Sequence, residues 1–136
     1  MPGPPLGGGR RDARERAIHL LYEADQRDVG VDAVLDDQVL PADDYTAEVL
    51  RGVEAKRTDL DATIGRLARG WTLERMPAMD RLVLEVALYE LSERPEIPTA
   101  VILNEAVELA NQYSTDDSGR FVNGLLATAA TELRSD

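Results

Sequence analysis

Apolar residues along this chain recur at spacings of three and four, the period of a helix buried on one face, and no useful length alternates with the period of two expected of a strand. From about Arg11 to Arg27, Ala13, Ala17, Leu20, Leu21 and Ala24 form one such stripe, with Arg14 and Arg16 lying off it. A short helix is predicted over Val31–Gln38, broken by Pro41. Asp43 or Asp44 then caps a helix through Val49, Leu50 and Val53. Thr58-x-x-Asp61, a capping box with Asp in place of Glu, opens another that carries Leu60, Ile64, Leu67 and Ala68. Gly70 ends that helix, and Trp71 to Met76 reads as a short helical turn with Trp71 as a core plug between subdomains. Pro77 suits the first turn of the next helix, where Leu82, Val83, Val86 and Ala87, widened by Leu84, Leu88 and Leu91, predict the most buried element. Pro95 and Pro98 bracket a tight loop, and Pro98 starts a helix carrying Val101, Ile102, Ala106, Leu109, Ala110 and Tyr113. The last helix is expected from about Asp116 to Leu133.

About seven helices, joined by loops of roughly two to eight residues, predict an all-α fold of packed helix hairpins or bundles. At 136 residues, one ordinary domain is the default, expected over residues 10–136 behind a Pro/Gly-rich, disordered tail at 1–9. With 43% hydrophobic but only 4% aromatic residues, the core must be aliphatic. No run of apolar residues is long enough to span a bilayer, and the N-terminus lacks the charge and apolar core of a signal peptide, so a cytoplasmic protein is expected. The absence of Cys excludes disulfides, thiolate zinc sites and a cysteine nucleophile.

Charge narrows the choice of partner. A net charge of -11 argues against a general duplex binder, because phosphate would be repelled. Yet Arg10, Arg11, Arg14 and Arg16 stand against only Asp12 and Glu15 in one short stretch, while acid pairs such as Asp36-Asp37, Asp43-Asp44 and Asp116-Asp117 lie elsewhere. A basic end on an acidic body suits a short single strand; equally, such a first turn is a solvated face with intrahelical pairs, as between Arg11 and Glu15. There is no nucleotide-binding P-loop, no nucleophile elbow and no zinc helix. His19 with Glu23 supplies two ligands where a stable metal site needs three or four, and the Asp pairs lack the spacing and central Gly of a calcium loop. Neither a metal, a cofactor nor catalysis is expected.

The most informative stretch is Asn104-Glu105-Ala106 followed by Ser114-Thr115-Asp116-Asp117-Ser118-Gly119-Arg120-Phe121-Val122-Asn123-Gly124. Arg120 beside Phe121 near a helix start suits contact with an unstacked RNA base, but a core aromatic beside a solvated cap residue fits as well, and the residues alone leave both open. This stretch resembles the paired signature of the NusB transcription antitermination family. The likeness extends to Arg10-Arg11-Asp12-Ala13-Arg14-Glu15-Arg16-Ala17 with Leu21-Tyr22, to Trp71-x-Leu73-x-Arg75, to Asp80-Arg81 with Tyr89-Glu90-Leu91, and to Ile97-Pro98, in order over about residues 10 to 133.

The resemblance implies a compact helical protein of two small packed subdomains. It implies a factor that binds single-stranded boxA RNA of ribosomal RNA leader transcripts together with NusE, a small-subunit ribosomal protein, and helps RNA polymerase resist termination. By the same resemblance Arg10, Arg11 and Arg14, with Asp117, Arg120 and Phe121, face RNA, and Tyr22 and Asp80 face NusE. Asp12, Glu85 and Asn111 depart from frequent basic residues of the family and lower its positive charge. A similar module precedes the catalytic domain of ribosomal RNA cytosine methyltransferases; with no α/β region following and no Cys, a non-enzyme is expected here. The competing reading is a helical interaction module that binds NusE or another protein without touching RNA.

Overall fold

The computed structural model describes residues 8–68 and 72–134, and among them it holds six α-helices and no strand. These are α1 (Gly8–Arg27), α2 (Val31–Asp36), α3 (Asp44–Leu67), α4 (Ala78–Glu93), α5 (Thr99–Tyr113) and α6 (Asp116–Leu133). α1 takes in Gly8 and Gly9, which the sequence reading assigns to the tail; residues 1–7, Gly70 and Trp71 lie outside the described residues. The chain divides into two units, one ending at Ala55 and the other beginning at Lys56, so the boundary falls inside α3. No helix among the described residues is long and apolar enough to cross a membrane.

In the first unit α1 packs on α2. α1 ends where Asp28 takes a left-handed conformation (φ 54°) and the Val29 N–H reaches back to the Ala24 carbonyl at 3.0 Å, closing off the last turn. Glycine adopts that conformation without steric cost, so Asp28→Gly is expected to raise the free energy of unfolding by about 0.5 kcal/mol and with it the urea midpoint; a fall would show that the aspartate side chain is needed there. The Glu54 carboxylate accepts from the Val31 N–H at 2.9 Å and thereby caps α2. Of the two candidate caps for α3, Asp43 is used: its Oδ1 accepts from the Thr46 N–H at 2.7 Å. Arg16 donates to the Pro41 carbonyl at 3.1 Å and to that of Leu40, tying down the segment before α3.

Two sequence expectations change. The helix predicted to open at Thr58 does not start there, because α3 runs unbroken from Asp44 to Leu67. Val49, Val53, Leu60 and Ile64 are all buried and keep one helical phase, so the same face stays covered through Thr58. A single Thr costs a helix only a few tenths of a kcal/mol, far less than burying Leu60 and Ile64 contributes. The segment before Pro77 is a turn and not a helix: the Thr72 carbonyl accepts from the Arg75 and Met76 N–H groups, both at 3.1 Å. Met76 precedes a proline, which disfavours the helical backbone, and Pro77 has no N–H to continue the ladder.

In the second unit α4, α5 and α6 pack on one another. α4 is the most buried element, as its pattern predicted: every side chain from Leu82 to Leu91 is buried, including Glu85 and Glu90. Pro77 and Pro98 sit at the N-caps of α4 and α5, and Thr115 at that of α6.

Candidate nucleic-acid interface

The basic stretch at the start of α1 lies in the first unit. Arg10 and Arg11 are partly exposed, and the Arg10 guanidinium lies over the Tyr45 ring, 5.2 Å from its centre, an arrangement that holds the charge near the surface. Arg14 behaves differently from the expectation that it lies off the apolar stripe: it is only 3% exposed. Its position explains this, because Arg14, Ala17, Ile18 and Leu21 follow the i, i+3, i+4, i+7 spacing of one helix face, and all four are buried. Tyr22, by contrast, is 41% exposed and presents an aromatic ring to solvent.

The second unit builds the start of α6. Thr115 is extended, and its hydroxyl accepts from the Ser118 N–H at 3.3 Å, so the helix begins with a side-chain cap. Ser118 is buried; its hydroxyl donates to Asp80 Oδ2 at 2.9 Å and lies 2.9 Å from the Ser114 hydroxyl. Asp80 therefore links the start of α4 to the start of α6. It is 3% exposed, so its carboxylate lies beneath the surface. Burial pushes its carboxyl above the ordinary range, with the Ser118 and Ser114 hydroxyls pulling the other way.

This bracing sets the residues that follow. Asp117 and Arg120 are 3.8 Å apart at their charged ends and almost fully exposed, so the pair is a weak surface contact that leaves both groups accessible. Val122 is completely buried and fills the core position. Phe121 is partly buried and lines a cavity of about 290 Å³ with Met76, Pro77 and Asp80, and a second of about 500 Å³ with Arg66, Leu67 and Arg120. An aromatic ring bordering two cavities beside an exposed guanidinium can take a planar, unstacked base.

Not every departure from the family pattern alters the surface. Glu85 is fully buried, whereas Asp12 and Asn111 are exposed. Sequence reading gave no role to Ser114 and Ser118, whose role depends on Asp80 more than thirty residues away, and treated Asn111 only as a lost charge, whereas its amide lies where a Cβ at Gly119 would collide with it. Among the described residues no group of three or more His, Cys, Asp or Glu is placed to hold a metal ion.

The sequence profile described as the NusB family matches residues 11–131. The chain is 47% identical over 131 residues to the transcription antitermination protein NusB of Saccharopolyspora erythraea, covering 90% of this chain and 87% of that protein. It is 45% identical over 126 residues to the protein of the same name from Streptomyces avermitilis, covering 86% and 88%. Its structure is similar to that of T. maritima NusB, with a TM-score of 0.82, 31% identity and coverage of 93% and 94% of the two chains. It shares its fold with a chain from a crystal structure of antitermination factors NusB and NusE in complex with dsRNA, at a TM-score of 0.73, 22% identity and coverage of 90% and 96%.

Proposed function

The chain belongs to the NusB family, and on that premise we propose that it is a transcription antitermination factor that binds single-stranded boxA RNA of ribosomal RNA leader transcripts together with NusE. In this role it helps RNA polymerase resist termination, in the cytoplasm, where nascent transcripts are made. It is a binding factor and performs no catalytic step. The observation that carries the RNA reading is the division of labour at the start of α6, where Val122 fills the core and Phe121 stays partly exposed beside exposed Arg120 and Asp117.

Arg10 and Arg11 of α1 supply phosphate contacts, Phe121 stacks a base, and Asp117 accepts hydrogen bonds from a base edge. Arg14, being buried, acts from beneath that surface. Tyr22 supplies an exposed ring to NusE, while Asp80 serves that side indirectly, by holding the start of α6. The net charge of -11 keeps the electrostatic contribution small, which accounts for the need for a partner protein.

Binding of boxA RNA in the presence of NusE tests this directly. Phe121→Ala is expected to weaken it by roughly 5- to 100-fold, the worth of one stacked base. Arg11→Ala should weaken it and make the salt dependence shallower by about 0.7 in the log–log slope. Both variants should bind NusE normally, whereas Tyr22→Ala should lose affinity for NusE. Unchanged RNA binding in both Phe121→Ala and Arg11→Ala would favour a protein-binding module that makes no RNA contact.

A further inference from the structure

Beside the start of α6, and distinct from the cavities that Phe121 borders, runs an open groove of about 620 Å³ between α5 and α6. α5 contributes Asn104, Glu108 and Asn111, and α6 contributes Gly119, Arg120 and Asn123. The three asparagines are exposed, and among the described residues their amides make no hydrogen bond. We infer that this groove reads nucleobase edges, the amides of Asn104, Asn111 and Asn123 and the guanidinium of Arg120 hydrogen-bonding to the bases of a single-stranded RNA.

The chemistry favours bases over the alternatives. Glu108 offsets Arg120, so the groove is close to neutral and offers no concentration of positive charge for phosphate. A carboxamide carries a donor pair and an acceptor side by side, the complement of a base edge, and Asn and Arg are the usual partners of adenine and guanine. Asn104 and Asn111 lie two helical turns apart, about 10 Å along α5, which leaves room for more than one base. Arg120 borders both this groove and the cavity lined by Phe121, so a strand stacked on Phe121 continues into it. Gly119 is what allows the arrangement: a Cβ there would collide with the Asn111 amide, so any larger residue would push that amide aside.

The inference rests on the RNA reading of α6 given above, and the test separates the two. Asn111→Ala, Asn123→Ala and Gly119→Ala are compared with Phe121→Ala for binding of boxA RNA in the presence of NusE. Each groove variant is expected to bind about tenfold more weakly, with an unchanged salt slope, unchanged NusE affinity and an unfolding midpoint no lower than that of the unaltered chain. Gly119→Ala is the sharpest of the three, because it favours the helix while displacing the Asn111 amide. Repeating the comparison on RNAs with one abasic site at a time should abolish the effect of Asn123→Ala at one position. Full RNA affinity in all three groove variants, with Phe121→Ala still impaired, would overturn the groove and leave the α6 reading intact. Lost NusE binding in the groove variants would overturn it in favour of a protein surface, and failure of the unaltered chain to bind RNA at all would overturn both readings.

Discussion

Arg57→Ala is expected to lower the free energy of unfolding by about 2–3 kcal/mol at pH 8, and by distinctly less at pH 5. The reason is Glu85, a fully buried carboxyl in the middle of α4. Arg57 grips it with two hydrogen bonds, Nε to Oε2 at 2.9 Å and a terminal nitrogen to Oε1 at 3.0 Å. Arg81 donates to Asp61 Oδ2 at 2.6 Å, and its Nε lies 3.6 Å from Glu85 Oε2. Burial above all, then the neighbouring Asp61 carboxyl, pushes Glu85 up to about 7, with Arg57 working against both. For Asp61 burial also acts upward, but the hydrogen bonds to Glu85 and Arg81 outweigh it and hold the group below its ordinary value. Without Arg57 the Glu85 carboxyl is pushed up further, so at pH 8 the folded chain must take up a proton it otherwise lacks and loses both hydrogen bonds; at pH 5 that proton is already in place, and less is lost.

The same group sets a sign for the whole chain. Because the folded state raises the Glu85 pKa from 4.5 to about 7, it binds that proton more tightly than the unfolded state does. The resulting stabilisation is fully present below the unfolded value and is lost as pH rises through the folded one. Asp61 acts in the opposite sense, contributing above its unfolded value and losing that contribution as pH falls through its lower folded one. Between about pH 4.5 and 7 the Glu85 contribution dominates, so stability should decline by about 2–3 kcal/mol across that window. Glu85→Gln should flatten the decline. Urea unfolding at half-unit pH steps measures both effects; a decline of the same size in Glu85→Gln would assign it to another group.

Arg134→Ala should cost about 2–4 kcal/mol. Just beyond α6, the Arg134 guanidinium collects four backbone carbonyls: Leu91 at 3.1 Å, Ile97 at 2.6 Å, Arg94 at 2.9 Å and Glu90 at 3.3 Å. It also reaches the Thr99 hydroxyl at 3.1 Å. Glu90 and Leu91 belong to the last turn of α4, whose carbonyls have no complete set of intrahelical partners, and a cation there also complements the helix dipole. One side chain therefore closes α4 and fixes the loop leading into α5. Arg134→Lys should recover less than half of the loss, since a point ammonium cannot match the planar fork of donors. Faster amide exchange in the last turn of α4 and around Ile97 would accompany the loss; unchanged exchange there would show that the guanidinium is not what holds the turn.

Much of the architecture was legible without coordinates. The last helix was expected from about Asp116 to Leu133, and α6 has those bounds; the buried character of α4 followed from its wide stripe. Pro77 and Pro98 marked helix starts because a proline tolerates the first turn and little else of a helix. The false start at Thr58 shows the limit of local signals, since a capping pattern is worth about as much as one side-chain hydrogen bond and yields to a continuous buried face. For the candidate site, the residue types and their order pointed to the start of α6, but whether Phe121 belonged to the core did not follow from them.

What the sequence determined by itself was the helical class, most of the helices, their order and the family, because periodicity, caps and motifs are properties of neighbours along the chain. The tertiary structure alone decided which of the singled-out side chains meet solvent. Arg14, Asp80 and Glu85 are charged and read as surface residues, yet all three are buried, while Asn104, Asn111 and Asn123, given no contact role by the sequence, line an open groove. The physical reason is that burial of a polar group is affordable only when partners arrive from elsewhere in the chain, as Ser118 does for Asp80 and Arg57 for Glu85, across 38 and 28 residues of sequence.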